Sequence, residues 1–123
     1  TPDGRLLAVF GQSGAGPGEL SYPFDVACSP DGILYVADWN NHRICAFDTE
    51  GVFLRALGGP GGREGELSFP WSLTVDWAGR LLVSDTANNR VQILAPALTA
   101  KAPRTAQAPL SRQEAQKVRP GGP

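Results

Sequence analysis

The chain has 123 residues, 41% of them apolar, and a formal charge of −1, which limits it to one domain or less and excludes a uniformly basic or acidic polypeptide. The balance is uneven, because residues 1–96 carry six Arg and no Lys against eleven acidic residues, a net of −5, whereas residues 97–123 carry a net of +4. No run of about 18 apolar residues exists, so no segment reads as a membrane-spanning helix.

Residues 1–17 read as the last strand of a preceding unit followed by a loop. Shifting the sequence by 47 positions lays Gly4, Leu7 and Gly11 on Gly51, Leu54 and Gly58. Residues 18–58 form one whole unit with four short strand-like runs, each bounded by turn residues. They are Phe24 to Cys28, Ile33 to Ala37, Arg43 to Phe47 and Val52 to Leu57. The turns between them are Ser29-Pro30-Asp31-Gly32, Trp39-Asn40-Asn41-His42 and Asp48-Thr49-Glu50-Gly51. Proline pre-sets φ, glycine accepts positive φ and asparagine tolerates the left-handed region, so these turns have a mechanism. Residues 59–96 repeat the unit, with Pro70, Gly79, Val83, Asp85, Asn88 and Arg90 on Pro23, Gly32, Val36, Asp38, Asn41 and Arg43, but stop after the third strand. Residues 97–123 are rich in Ala, Pro, Gln and basic residues and lack the apolar content to order themselves, so a disordered tail is expected. The chain starts at Thr1 inside a repeat and reads as a piece of a longer product.

A fixed period of this length signals an array of supersecondary units that bury their faces on one another. Four antiparallel strands in about 45 residues suit a propeller blade. The fold class is therefore all-β, an incomplete propeller of about two blades plus one strand. Cys28 and Cys45 lie in predicted strands among apolar neighbours and are expected to be buried thiols packed as small hydrophobes.

The residues then identify a family. The run Tyr22-Pro23-Phe24-Asp25-Val26-Ala27, followed by Asp31-Gly32-Ile33-Leu34-Tyr35-Val36-Ala37-Asp38 and Asn40-Asn41-His42-Arg43-Ile44, resembles the NHL repeat. The second copy, Phe69-Pro70-Trp71 through Asp85-Thr86-Ala87-Asn88-Asn89-Arg90-Val91, is similar, with Asn89 in the His place. The resemblance covers about residues 1–95 and implies a β-propeller, usually of six blades. A two-blade piece leaves apolar faces and strand edges open. Either further repeats complete the ring, or three such chains assemble it.

Candidate chemistry is sparse. Asp38 with Arg43, and Asp85 with Arg90, flank a four-residue turn in each unit, and with Asn41 and Asn88 they read as architecture repeated in every blade, a rim pair or a cap on the turn amides. No nucleophile or second carboxylate accompanies either aspartate, so no catalytic residue is assigned. His42 is the only histidine and lacks companions for a metal site; no metal and no cofactor are expected. The glycine-rich loops at residues 11–18 and 58–65 precede strands, whereas a phosphate cradle needs a following helix, so they read as crossings between blades. Strand direction gathers Phe24, Trp39, Asn40, His42, Trp71 and Thr86 at one end of the propeller, with Trp39 the exposed anchor among them. Trp77 is expected to pack on its own hairpin at the opposite end.

Aromatic anchors ringed by polar groups are what binding hot spots are made of. The leading reading is a non-catalytic protein-binding module. The resemblance implies a partner-recognition segment of a tripartite-motif ubiquitin-ligase-like protein, whose RING, B-box and coiled coil lie outside this chain. Single-stranded RNA is the alternative: ring stacking suits it, but the acidic repeat body disfavours it. A propeller of the peptide-amidating lyase kind is the remote alternative, since its metal-binding histidines are missing here. No membrane partner is expected. The two cysteines and the resemblance point to the cytoplasm.

Overall fold

The computed structural model describes residues 3–98, so the tail expected from its composition lies, from residue 99 onward, outside the described residues. The strands are β1 (Gln12–Ser13), β2 (Glu19–Leu20), β3 (Pro23–Cys28), β4 (Leu34–Asp38), β5 (Arg43–Phe47), β6 (Phe53–Gly58), β7 (Pro70–Val75), β8 (Leu81–Asp85) and β9 (Arg90–Leu94). Strands β3 to β6 form a four-stranded antiparallel meander, and β7 to β9 form a three-stranded one. Each sheet is one blade. Short parallel pairing of β1 with β2 ties down the loop that leads into the first blade, and a bridge from Pro60 to Leu67 repeats that pairing before the second.

Local sequence sets the turns. Ser29 Oγ accepts the Ile33 N–H at 3.0 Å and closes the β3–β4 turn. Asp48 Oδ1 accepts from the N–H groups of Glu50 and Val52 between β5 and β6, and Asp76 Oδ1 does the same for Ala78 and Arg80 between β7 and β8. The 47-residue period also appears in strained backbone. Tyr22 and Phe69 adopt φ of 57° and 52°, and His42 and Asn89 adopt 56° and 55°. Such left-handed values are uncommon for side chains other than Asn, Asp and His, so their recurrence shows the two blades built on one template.

The core lies between the sheets. Ile33, Tyr35, Ala37, Ile44 and Ala46 face the second blade, where Leu67, Leu73, Leu81 and Val83 meet them. The opposite face of the first blade buries Val36, Cys45 and Phe47 under Phe10, Leu20 and Phe53. Because β4 and β5 are covered on both faces, their apolar runs are continuous, as a strand stacked between layers requires. Each fully buried Leu or Ile here contributes roughly 1.5–3 kcal/mol.

Four expectations are corrected. Residues 5–10 form no strand, since the strands that would pair with them are not among the described residues; Leu6, Leu7 and Val9 lie exposed. Cys28 is exposed, because β3 turns it, with Val26, to the face of the first blade that no further sheet covers. Trp77 is 87% exposed and does not fold onto its hairpin. Leu98, the start of the expected tail, packs on the core between the blades, just past Pro96, whose carbonyl accepts from Arg55 Nη1 at 3.0 Å.

Candidate functional site

The molecule holds two kinds of site, a buried carboxylate knot repeated in each blade and one aromatic cluster that bridges the blades. Asp38 ends β4 opposite Arg43 at the start of β5. Its side chain is fully buried and paired with Arg43, so of the two readings the sequence leaves open it forms the ion pair, away from solvent. Asp38 Oδ1 accepts the Ser21 N–H at 2.7 Å, and Oδ2 accepts Asn41 Nδ2 at 2.9 Å and Arg43 Nε at 2.8 Å. Arg43 Nη2 continues to Gly16 O at 3.0 Å and Glu19 O at 2.8 Å, while Asn41 Nδ2 reaches Gly14 O at 2.8 Å. The loop between blades thus wraps over the turn and supplies the burial.

The second blade copies the knot. Asp85 Oδ1 accepts the Ser68 N–H at 2.7 Å, Arg90 Nε reaches Oδ2 at 2.7 Å, and Asn88 Nδ2 lies at 3.0 Å from the same oxygen. Arg90 Nη2 bonds to Arg63 O and Glu66 O. Gln92 occupies the place of Cys45 and adds a further donor to Asp85 Oδ2 at 3.1 Å. The donors to both aspartates come from the turn and the loop that wraps over it, and the Cys45 thiol also lies 3.8 Å from Asp38 Oδ2. Burial pushes the Cys45 thiol up to about 12, with Arg43 opposing and Asp38 adding to the rise, so it stays protonated and unreactive.

Burial alone would raise the Asp85 carboxyl, but the bonds from Ser68, Arg90, Asn88 and Gln92 outweigh it and hold the group below its usual 3.8. A depressed carboxyl stabilises the fold fully above its unfolded value, and that stability is lost as pH falls through the lower folded value. Melting temperature measured from pH 7 down to pH 3 is therefore expected to fall more steeply below about pH 4 in the parent than in Asp85→Asn. Parallel curves would exclude Asp85 from acid unfolding.

At the other kind of site, the Trp39 ring is surrounded. It stacks on Phe24 with centroids 5.1 Å apart, tilts against Phe69 at 4.6 Å and meets Tyr22 and Trp71 edge-on at 6.1 and 6.5 Å. Phe24 also meets Trp71 at 4.9 Å, so equivalent residues of adjacent blades touch. Each such pair adds roughly 0.5–1.5 kcal/mol beyond area. Trp39 is half-buried and its indole N–H has no acceptor among the described residues. The exposed anchor is therefore not Trp39. Tyr22 at 65%, Trp71 at 54% and Phe24 at 44% exposure present the outer rings.

His42 is half-buried, and its Nδ1 accepts the Phe69 N–H at 3.0 Å with the two rings 4.3 Å apart. That bond spans the two blades. Among the described residues no three His, Cys, Asp or Glu side chains gather as a metal site. Asn40 is exposed beside the cluster and donates from Nδ2 to Ser21 Oγ at 3.1 Å, and Thr86 is exposed near Ser84. All six residues assigned to this end lie at the β4–β5 and β8–β9 turns or at the starts of β3 and β7, and Phe24, Trp39 and Trp71 are in mutual contact. Tyr22 and Phe69 were missed. Their signal was an aromatic residue directly before proline in both units, at Tyr22-Pro23 and Phe69-Pro70.

Two of the cations at this end are engaged. Arg43 and Arg90 spend their guanidinium groups on the knots, and Arg63 is the exposed cation of the second inter-blade loop. Glu19 accepts the Gly16 N–H, and Glu66 accepts that of Arg63, so both acids brace their own loops.

A family model described as the NHL repeat matches residues 20–47 and 67–94, the two segments that run from the strand before each aromatic-proline pair to the end of the third blade strand. Of curated proteins, the RING finger protein nhl-1 of Caenorhabditis elegans is 44% identical over 52 residues, 42% of this chain and 5% of that protein. The B-box type zinc finger protein ncl-1 of the same nematode is 48% identical over 44 residues, 36% of this chain and 5% of its own length. Protein lin-41, also from that nematode, is 38% identical over 48 residues, 39% of this chain and 4% of its own length. The chain spans about a twentieth of the curated relatives it matches.

Proposed function

From the premise that this chain carries two NHL repeats, we propose that it is a non-catalytic protein-binding module whose contact surface is the aromatic end of the blades. The observation that carries the reading is the joined cluster of Tyr22, Phe24, Trp39, Phe69 and Trp71, three of whose rings remain open to solvent. Rigid aromatic side chains offer large contact area at little entropic cost, and interface hot spots concentrate in them. Trp39 holds the ring array from beneath, while Asn40, His42 and Thr86 supply a polar rim. Two of the relatives are a RING finger protein and a B-box type zinc finger protein. They support reading this chain as the partner-recognition part of a ubiquitin-ligase-like protein whose catalytic elements are separate. A cytoplasmic setting belongs to the same proposal and is supported by two unbridged cysteines.

Single-stranded RNA fits less well. Base stacking suits Tyr22 and Trp71, yet phosphate binding needs free cations, and Arg43 and Arg90 are committed to internal acceptors. The test is a photo-crosslinking residue placed at Trp71 or, as a control at the opposite end, at Trp77. Crosslinking to protein from position 71, resistant to ribonuclease and at least several-fold above position 77, is the expected result. Equal yields from both positions would remove the aromatic end as the contact surface. Adducts that carry nucleotide would replace the protein reading by the RNA one.

A further inference from the structure

Residues 69–73 bring two of the rings, Phe69 and Trp71, to the aromatic end, and two side chains of the first blade hold their backbone there. His42 Nδ1 accepts the Phe69 N–H at 3.0 Å, and Asp25 Oδ2 accepts the Leu73 N–H at 3.0 Å. The two bonds bracket Trp71. Phe69 needs such a tether, because its backbone is left-handed, with φ 52°, a conformation uncommon for an aromatic residue. Its ring lies 4.3 Å from the His42 ring and 4.6 Å from that of Trp39. What fixes Phe69 therefore also fixes the lid on Trp39.

A ring nitrogen that accepts a hydrogen bond holds no proton, so His42 is seated as the neutral tautomer with its proton on Nε2. Protonation would set a second N–H against that of Phe69, and the bond cannot survive it. The elements around the ring supply charges of both signs. Its own turn carries Asp38 and Arg43, which pair with each other, and the second blade carries Asp85 and Arg90, which do the same. The loop that donates from Gly59 N–H to His42 O carries Arg63, Glu64 and Glu66, with Glu66 braced on the Arg63 N–H. Asp25, on β3, is bonded to the N–H groups of Val26 and Leu73. Carboxylates as a class titrate near about pH 4, whereas histidine changes charge between about pH 5 and 8. His42 is the one histidine of the chain.

We propose that His42 is a positioning residue that acts as a pH-sensitive clasp on the aromatic end. When neutral it fixes Phe69 and with it the ring array; when protonated it releases Phe69 and the array loosens. The clasp is closed at high pH and opens as pH falls. Its effect on partner capture rests on the protein-binding reading of this end, but the clasp itself does not.

The test is nuclear magnetic resonance of the isotope-labelled full chain between about pH 8 and pH 5, the interval in which a histidine titrates. The Phe69 amide and the Trp39 and Trp71 indole signals are expected to shift with the midpoint of the His42 ring, while Trp77, at the opposite end, stays still. His42→Asn should abolish the response. Asn89 holds the equivalent place at φ 55°, so asparagine suits the left-handed backbone and has no proton to gain. Asp25→Asn, which keeps an oxygen to accept the Leu73 N–H, should leave the response in place. Capture is read separately, by crosslinking to protein from a photoreactive residue at position 71. A several-fold lower yield at about pH 5.5 than at about pH 7.5 is expected in the parent background and not with His42→Asn. No crosslink at either pH would remove the protein-binding reading and the regulation built on it, whereas the resonance signals alone decide the clasp. A Phe69 amide that stays still while His42 titrates, a His42 ring that gains no proton above about pH 5, or a response that persists in His42→Asn would overturn the proposal.

Discussion

Asp38→Ala is expected to destabilise the chain by about 3–5 kcal/mol, the range for removing one member of a buried charge pair. The direction follows from what stays behind. Arg43 is 14% exposed and would remain tethered by Gly16 O and Glu19 O with no anion beside it. The Ser21 N–H and the Asn41 amide would lose acceptors in a partly buried setting, and each unsatisfied group costs about 1–3 kcal/mol. A small domain has roughly 5–15 kcal/mol in total, so a large share of it is at stake. Urea unfolding followed by tryptophan fluorescence measures the shift in midpoint.

The contrast with Asp76 makes the argument sharper. Its pair with Arg80 is shorter, 2.6 Å against 2.8 Å, but Arg80 is 53% exposed. Water screens such a pair, so Asp76→Ala is expected to move the midpoint far less than Asp38→Ala. Equal shifts would mean that separation, and not burial, sets the strength of these contacts. Asp38→Asn should fall between, because one carbonyl oxygen can still accept the Ser21 N–H while the charge opposite Arg43 is gone.

Much of this architecture was legible because turn chemistry is local. Ser29, Asp48 and Asp76 each cap their own hairpin, so reading short-range patterns located the strands within a residue or so, and Arg43–Phe47 without error. The 47-residue spacing then placed Phe24, Trp39 and Trp71 at one end. What stayed hidden depends on contacts distant in sequence. Asp38 is buried because the carbonyls of Gly14, Gly16 and Glu19 tether Asn41 and Arg43 over it, in a loop whose glycines mark it only as a crossing. Trp39 looked exposed because its turn is polar, yet Phe69, thirty residues on, closes over it. Cys28 looked buried because strand residues usually are, and a blade face without a neighbour reverses that. Residues 5–10 carry a strand's composition but lack the ladder partner that makes one.

Leu67→Ala and Gly58→Ala should each destabilise the chain, but the two together less than their sum. Leu67 is fully buried between the blades, and truncating such a leucine costs about 2–5 kcal/mol. Gly58 has a φ of +88°, and a Cβ there would lie 2.7 Å from Leu67 Cδ1 and 3.0 Å from Cγ. Left-handed backbone costs alanine about 1–2 kcal/mol, and overpacking typically adds about 1–3 kcal/mol. In the double variant Leu67 no longer carries the δ carbons that collide, so only the backbone strain and the lost burial remain. A favourable coupling of about 0.5–3 kcal/mol is expected, the range for residues in contact, read from a four-variant cycle of urea midpoints. Strict additivity would show that Leu67 already turns aside in Gly58→Ala, and that the seam between the two blades tolerates a methyl group which its geometry in the parent excludes.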